Sequence, residues 1–174
     1  MRGLLRMINI VLYEPEIPQN TGNIMRTCAG TGTKLHLIKP LGFSLSDSKV
    51  KRCGVNYLDH CDYTVYENYD EFLSKNEGEF YYLTRYGTKN YSEFDYSDTN
   101  KNIYLVFGKE STGIPKEILA KHLDRCLRIP INSNIRALNV SNSVCIMLFE
   151  VLRQQGFPQL LDYDSFKGKN YLNE

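Results

Sequence analysis

The sequence predicts an α/β domain built on a largely parallel sheet. Short apolar runs of strand length recur along the chain, segments with helical spacing alternate with them, and one long helical pattern closes the series. The 174 residues suit one domain around one core. Apolar residues make 42% and charged residues 24%, the balance of a soluble globular chain. No apolar run approaches the roughly 20 residues that a membrane helix needs.

The elements follow in order. Met7 to Tyr13 is apolar and predicts a buried first strand, not a signal peptide, because Glu14 interrupts the run and no small-residue cleavage site follows. A Pro- and Asn-rich turn then leads to a helix over about Thr21 to Ala29, with Asn20 as its expected cap. Leu35 to Ile38 predicts a second strand, and residues 42–48 a loop before a short basic helix, SKVKRCG. Tyr63 to Tyr66 predicts a third strand and Asp70 to Lys75 a helix. Phe80 to Thr84 and Ile103 to Phe107 are two further strands. Pro115 to Leu123 is expected to be helical, with proline in the first turn, and Cys126 to Ile131 is a sixth strand. From Val140 to Gln155, residues Val140, Val144, Met147, Leu148, Val151 and Leu152 keep helical spacing until Gly156 and Pro158 stop it. The polar tail beyond Pro158 is expected to be only partly ordered.

Charge and cysteine usage narrow the function classes. A net charge of +1 excludes a broadly basic nucleic-acid protein but leaves room for a local basic patch. Five scattered cysteines without a C-x-x-C pair, and three scattered histidines, argue against a zinc site or a disulfide framework and for a reducing cytoplasm. No metal and no membrane are expected.

Four stretches carry candidate chemistry. LVFGKESTGIP (Leu105 to Pro115) places a glycine and a lysine after a strand, but it is not a phosphate loop of the Walker type. Glu110 follows Lys109, and no glycine stands in the five residues before Gly108. Either Gly108 and Gly113 let a ligand approach the carboxyl end of the strand, or this is an ordinary strand-to-helix turn. Gly30-Thr31-Gly32 ends a helix and is expected to be its C-cap, not a dinucleotide loop. In PEIPQNTGNIMRTC, the apolar face is Ile24, Met25, Cys28 and Ala29. Asn23 and Arg26 lie opposite, which frees the Arg26 guanidinium for an anion. In SNIRALNVSNS, Asn139, Ser141 and Asn142 can cap the last helix, and the small and polar residues can line a pocket. The unbroken apolar run from Val144 to Phe149 exceeds what one core face absorbs and predicts a homodimer interface. Lys49, Lys51 and Arg52 form the compact basic cluster, an RNA-phosphate surface if it flanks a cleft. Most of the thirteen tyrosines, including Tyr81, Tyr82, Tyr86 and Tyr91, are expected to fill core and surface, while some could stack on bases.

Three of these motifs together resemble one family. P-x-x-P-x-N-T-G-N-I-x-R (Pro15 to Arg26), L-x-F-G-x-E-x-x-G-[IL]-P (Leu105 to Pro115) and R-I-P…R-x-L-N-[LV]-S-N (Arg128 to Asn142) resemble, in this order, the SpoU-type (SPOUT) RNA 2′-O-methyltransferases. The layout is most similar to the short TrmL-type branch, which methylates the wobble nucleotide, cytidine or uridine 34, of certain tRNAs. The resemblance spans about Met7 to Pro158. It implies a parallel-sheet fold with a C-terminal trefoil knot, which no local pattern predicts. It also implies a homodimer, S-adenosylmethionine as methyl donor and tRNA as substrate.

By matching positions, the implied cofactor loops are Leu83-Thr84, Gly108 to Gly113, and Ile129 to Asn139, with Ile131, Ala137 and Leu138 among the contacts. The implied catalytic set is Arg26, Asn20, Glu110 and Asn139. Arg26 is the family's usual candidate for the base, yet a guanidinium stays protonated. It is better suited to stabilising the developing alkoxide while a substrate phosphate takes the proton. Glu110 and Asn139 are better suited to fixing loop geometry. Two departures stand out. The family's usual serine is Ala137 here, and the six residues before Met7 have no counterpart, so Met7 is the expected family start. The same transfer to another RNA, such as ribosomal RNA, and a non-catalytic RNA-binding module are the alternatives.

Overall fold

Alternate strand residues sort onto two faces of one sheet, and each face has its own core. Ile10, Leu12, Leu35, Leu37, Leu105 and Phe107 point to one side, while Val11, Ile38, Tyr104 and Val106 point to the other. Both faces of a parallel sheet must be covered, so its strands are continuously apolar, as IYLVF at 103–107 is throughout. The computed structural model describes residues 8–46 and 48–173, without the side chains of residues 51, 53–56 and 58. The first residue of the expected first strand, Met7, lies outside the described residues.

The strands are β1 (Ile8–Tyr13), β2 (Lys34–Ile38), β3 (Tyr63–Tyr66), β4 (Glu79–Leu83), β5 (Lys89–Asn90), β6 (Ile103–Phe107) and β7 (Cys126–Arg128). They form one sheet in the order β3-β2-β1-β6-β4-β7-β5, with every pairing parallel. Helices α1 (Pro18–Thr31), α2 (Ser48–Gly54) and α5 (Val140–Gln154) accompany the first face. Helices α3 (Tyr69–Lys75) and α4 (Lys116–Leu119) accompany the second. Among the described residues no helix is long and apolar enough to cross a membrane.

Four expectations change. α1 begins at Pro18, three residues earlier than read, because proline's fixed φ and missing N–H suit the first turn. Asn20 is therefore inside the helix and is not its cap. The helix expected over Pro115 to Leu123 is a single turn, α4, followed by a 3₁₀ turn at Leu123–Arg125. The sixth strand stops at Arg128, and the two-residue β5 had no apolar run to announce it. The Gly32 cap holds, with φ 66°, and Asn139 caps α5 by accepting from the N–H groups of Ser141 and Asn142. Ser141 and Asn142, the other expected caps, are thus donors to Asn139.

A buried polar chain crosses the second face. Asn9 donates its amide to the Ile103 carbonyl, which turns its oxygen toward His36 Nε2 at 2.9 Å. Nε2 must then carry the proton, and Nδ1 accepts from the Tyr66 hydroxyl at 2.8 Å. Burial holds this neutral His36 down to about 4, from 6.5. Between those values the unfolded chain binds the extra proton, so stability is full above pH 6.5 and falls as the pH drops toward 4. The expected loss approaches roughly 3 kcal/mol. Urea unfolding from pH 7 to pH 4.5 checks it, and His36→Gln should flatten the slope.

Candidate active site

At the carboxyl ends of β4, β6 and β7 the chain leaves the sheet in three loops, and these loops enclose a cleft of about 590 Å³. Ile17 and Asn20, which follow β1, also line it, so the cleft lies outside the carboxyl ends of the strands, where an open α/β sheet binds its ligands. The volume lies within the ordinary range for small-molecule sites.

The loop after β6 is built on two glycines. A Cβ at Gly108 would run into the backbone of Gly113 and Ile114, and Gly113 holds φ at 76°. An antiparallel bridge between Lys109 and Gly113 closes the loop. The sequence pattern offered Gly108 as room for a ligand; the structure gives that room first to the loop's own backbone.

The loops after β1 and β6 then lock together. The Glu110 carboxylate accepts from the N–H of Glu16 at 2.8 Å, the N–H of Ile17 at 3.2 Å and the amide of Asn20 at 3.0 Å. It thereby places a negative charge at the start of α1, where no side chain of the helix itself caps. In return the Glu16 carboxylate accepts from the Ser111 hydroxyl and N–H, and these bonds lower its pKa. Lys109 pairs with Glu14 at 2.7 Å, which raises the lysine's pKa. Asn20 is buried, and its oxygen accepts from the Asn139 amide at 3.0 Å. A chain Glu110–Asn20–Asn139 therefore ties the β6 loop, the start of α1 and the start of α5.

All eight residues expected to meet the cofactor, from Leu83 to Leu138, line the cleft, as do Asn20, Glu110 and Asn139. Arg26 does not. It is exposed on α1, as its helix angle predicted, and its guanidinium lies 5.2 Å from the centre of the Tyr57 ring. Lys49 and Arg52 are exposed on α2 and do not line the cleft, while the Lys51 side chain lies outside what is described. Tyr81 and Tyr82 are buried. Lys109, Ser111 and Arg136 lie within the expected cofactor loops and line the cleft, whereas Arg85 and Arg128, just outside those loops, were not assigned to the site and line it too. Arg85 directly follows the expected cofactor pair Leu83-Thr84, and that adjacency was the available signal.

The pattern that describes the SpoU rRNA methylase family matches residues 7–149. The chain belongs to this family. A Listeria monocytogenes SpoU relative, provisionally named tRNA (cytidine(34)-2′-O)-methyltransferase, is 54% identical over 92% of this chain and 96% of its own length. The Escherichia coli tRNA (cytidine(34)-2′-O)-methyltransferase is 43% identical over 87% of this chain and 96% of its own. A crystal structure of a Bacillus anthracis protein, provisionally described as an RNA methyltransferase, superposes with a TM-score of 0.85 at 51% identity, covering 90% of this chain and 99% of that one. The fold is thus the SpoU fold, a parallel α/β sheet with its C-terminal trefoil knot. After β7 the SpoU chain turns back from the far side of the sheet to α5, which packs on β1, β6 and α1.

Proposed function

We propose that this chain transfers a methyl group from S-adenosylmethionine to the ribose 2′-OH of nucleotide 34 of tRNA, cytidine by the relatives' specificity. The observation that carries the reading is near end-to-end similarity to enzymes of that name, combined with the convergence of all eight expected cofactor positions on one cleft. Leu83, Ile129, Ile131 and Leu138 offer apolar walls to an adenine, and the backbone of the 108–113 loop offers hydrogen-bonding groups. When bound, S-adenosylmethionine supplies a methyl group activated by its sulfonium charge, so the transfer itself needs no metal.

The chain's own residues have two tasks. The Glu110–Asn20–Asn139 chain holds the loops in place, and its polar atoms are engaged in doing so. Arg26 stabilises the developing 2′-alkoxide. Arg26 does not line the cleft of its own chain, and in this reading a second copy delivers it. On α5, Cys145 and Phe149 are exposed and Ile146 half-buried, the face left over from the apolar run and available to that copy. Light scattering at micromolar concentration should give about twice the chain mass of 20.2 kDa; a single-chain mass would remove the dimer from the reading.

Calorimetric titration with S-adenosylmethionine in chelator should show saturable binding, and labelled methyl should pass to bulk tRNA. No binding, or a strict need for a divalent ion, would overturn the proposal. Ala137→Ser should change cofactor affinity less than about tenfold, ~1.4 kcal/mol, if position 137 acts through its backbone. A larger gain would mark a lost hydroxyl contact.

A further inference from the structure

Among the described residues, Arg26 and Arg52 stand exposed on helices away from the cleft without a carboxylate, and the other arginines differ by place. Away from the cleft, Arg125 and Arg153 hold carboxylates, Glu79 and Asp124 for the first and Glu150 for the second. Arg85, Arg128 and Arg136 line the cleft and hold none among the described residues. Arg128 is half-buried at the end of β7, and neither it nor Arg136 has an ion pair or side-chain hydrogen bond among the described residues. A partly buried guanidinium without a counter-ion is costly, which points to an anion that arrives with a ligand. Among the described residues the single carboxylate lining the cleft, Glu110, is already taken by the start of α1. Lys109 is likewise taken by Glu14.

S-adenosylmethionine does not account for three cleft arginines that hold no carboxylate among the described residues. It carries one carboxylate against an ammonium and a sulfonium, and is a net cation. A ribose within an RNA strand has a phosphate on each side. Tyr86 also lines the cleft, 68% exposed, with the Arg85 guanidinium 4.8 Å from its ring centre and donating to its hydroxyl. That pair presents a planar surface suited to an unstacked base next to a cation suited to its phosphate.

We propose that Arg85, Tyr86, Arg128 and Arg136 form a docking rim for the RNA strand around the target nucleotide, with the arginines on flanking phosphates and Tyr86 against a base. The proposal rests on the tRNA reading above. It assigns the strand-gripping role to the cleft rim, apart from the Lys49–Arg52 helix.

The test measures tRNA binding by fluorescence anisotropy across salt concentrations, and S-adenosylmethionine binding by calorimetry, on the same proteins. Arg85→Ala, Arg128→Ala and Arg136→Ala should each weaken tRNA binding about three- to tenfold and lower the salt slope by about 0.7. Cofactor affinity should stay within twofold. Tyr86→Ala should weaken tRNA binding without moving the salt slope. Lys75→Ala, which removes a cation paired with Glu71 on α3, should change neither. Arg136→Glu, at an exposed loop position, repeats the test without disturbing packing and should weaken tRNA binding further. Loss of cofactor binding with tRNA binding intact would overturn the proposal, because the arginines would then serve the cofactor's carboxylate. Variants that bind tRNA as well as the wild type would overturn it alone. A wild-type chain that binds cofactor but no tRNA would overturn the tRNA reading together with it.

Discussion

Arg26→Ala is expected to abolish methyl transfer, by about a hundredfold or more, while leaving the fold and cofactor binding nearly intact. The side chain is exposed on α1 and lies against the Tyr57 ring, so stability should change by less than about 1 kcal/mol. It is absent from the lining of its own chain's cleft and is assigned to the 2′-alkoxide of the RNA, so S-adenosylmethionine affinity should not move. Arg26→Lys separates two ways of acting. Lysine keeps the charge but loses the planar fork, so a purely electrostatic role predicts partial rescue and a bidentate role almost none. Single-turnover transfer to tRNA, measured beside calorimetric cofactor binding, reads both. Near-normal transfer by Arg26→Ala would move the search to the cleft itself.

Gly108→Ala is expected to remove cofactor binding. The added methyl meets the backbone of Gly113 and Ile114, not a side chain that could rotate away. The 108–114 loop must open to admit it, and the Lys109–Gly113 bridge and the Glu110 contacts to the start of α1 lie in its path. Overpacking of this kind costs about 1–3 kcal/mol in stability. The larger effect falls on the cleft, where affinity for S-adenosylmethionine should drop by more than about a hundredfold, ~2.7 kcal/mol. Gly30→Ala is the matched control, since a Cβ there meets nothing, and it should bind cofactor normally. Equal affinity in Gly108→Ala and the wild type would mean that this loop does not shape the cofactor site.

The sheet was largely legible because strand burial writes itself as apolar runs. IYLVF at 103–107 is buried at every position and could not be read as anything exposed. α5 was legible for the complementary reason, a long 3.6-residue pattern with an Asn cap and a Gly–x–Pro stop. β5 was not, because two paired residues, Lys89 and Asn90, leave no pattern. The start of α1 was misplaced because its cap is Glu110, 93 residues beyond Ile17, and local reading gave that role to the nearest asparagine. The motif glycines and loops were legible as a site through resemblance. How Asn20, Glu110 and Asn139 share one hydrogen-bonded chain was not, since that depends on three segments meeting in space. The position of Arg26 was half legible: its helix face was right, but its distance from the cleft belongs to tertiary structure.

The most direct test of the central claim is a map of ribose methylation on tRNA incubated with the purified chain and S-adenosylmethionine. The account predicts a single new 2′-O-methyl group at nucleotide 34, absent when Arg26→Ala replaces the wild type. Methylation at another position, or in ribosomal RNA with tRNA untouched, would contradict it.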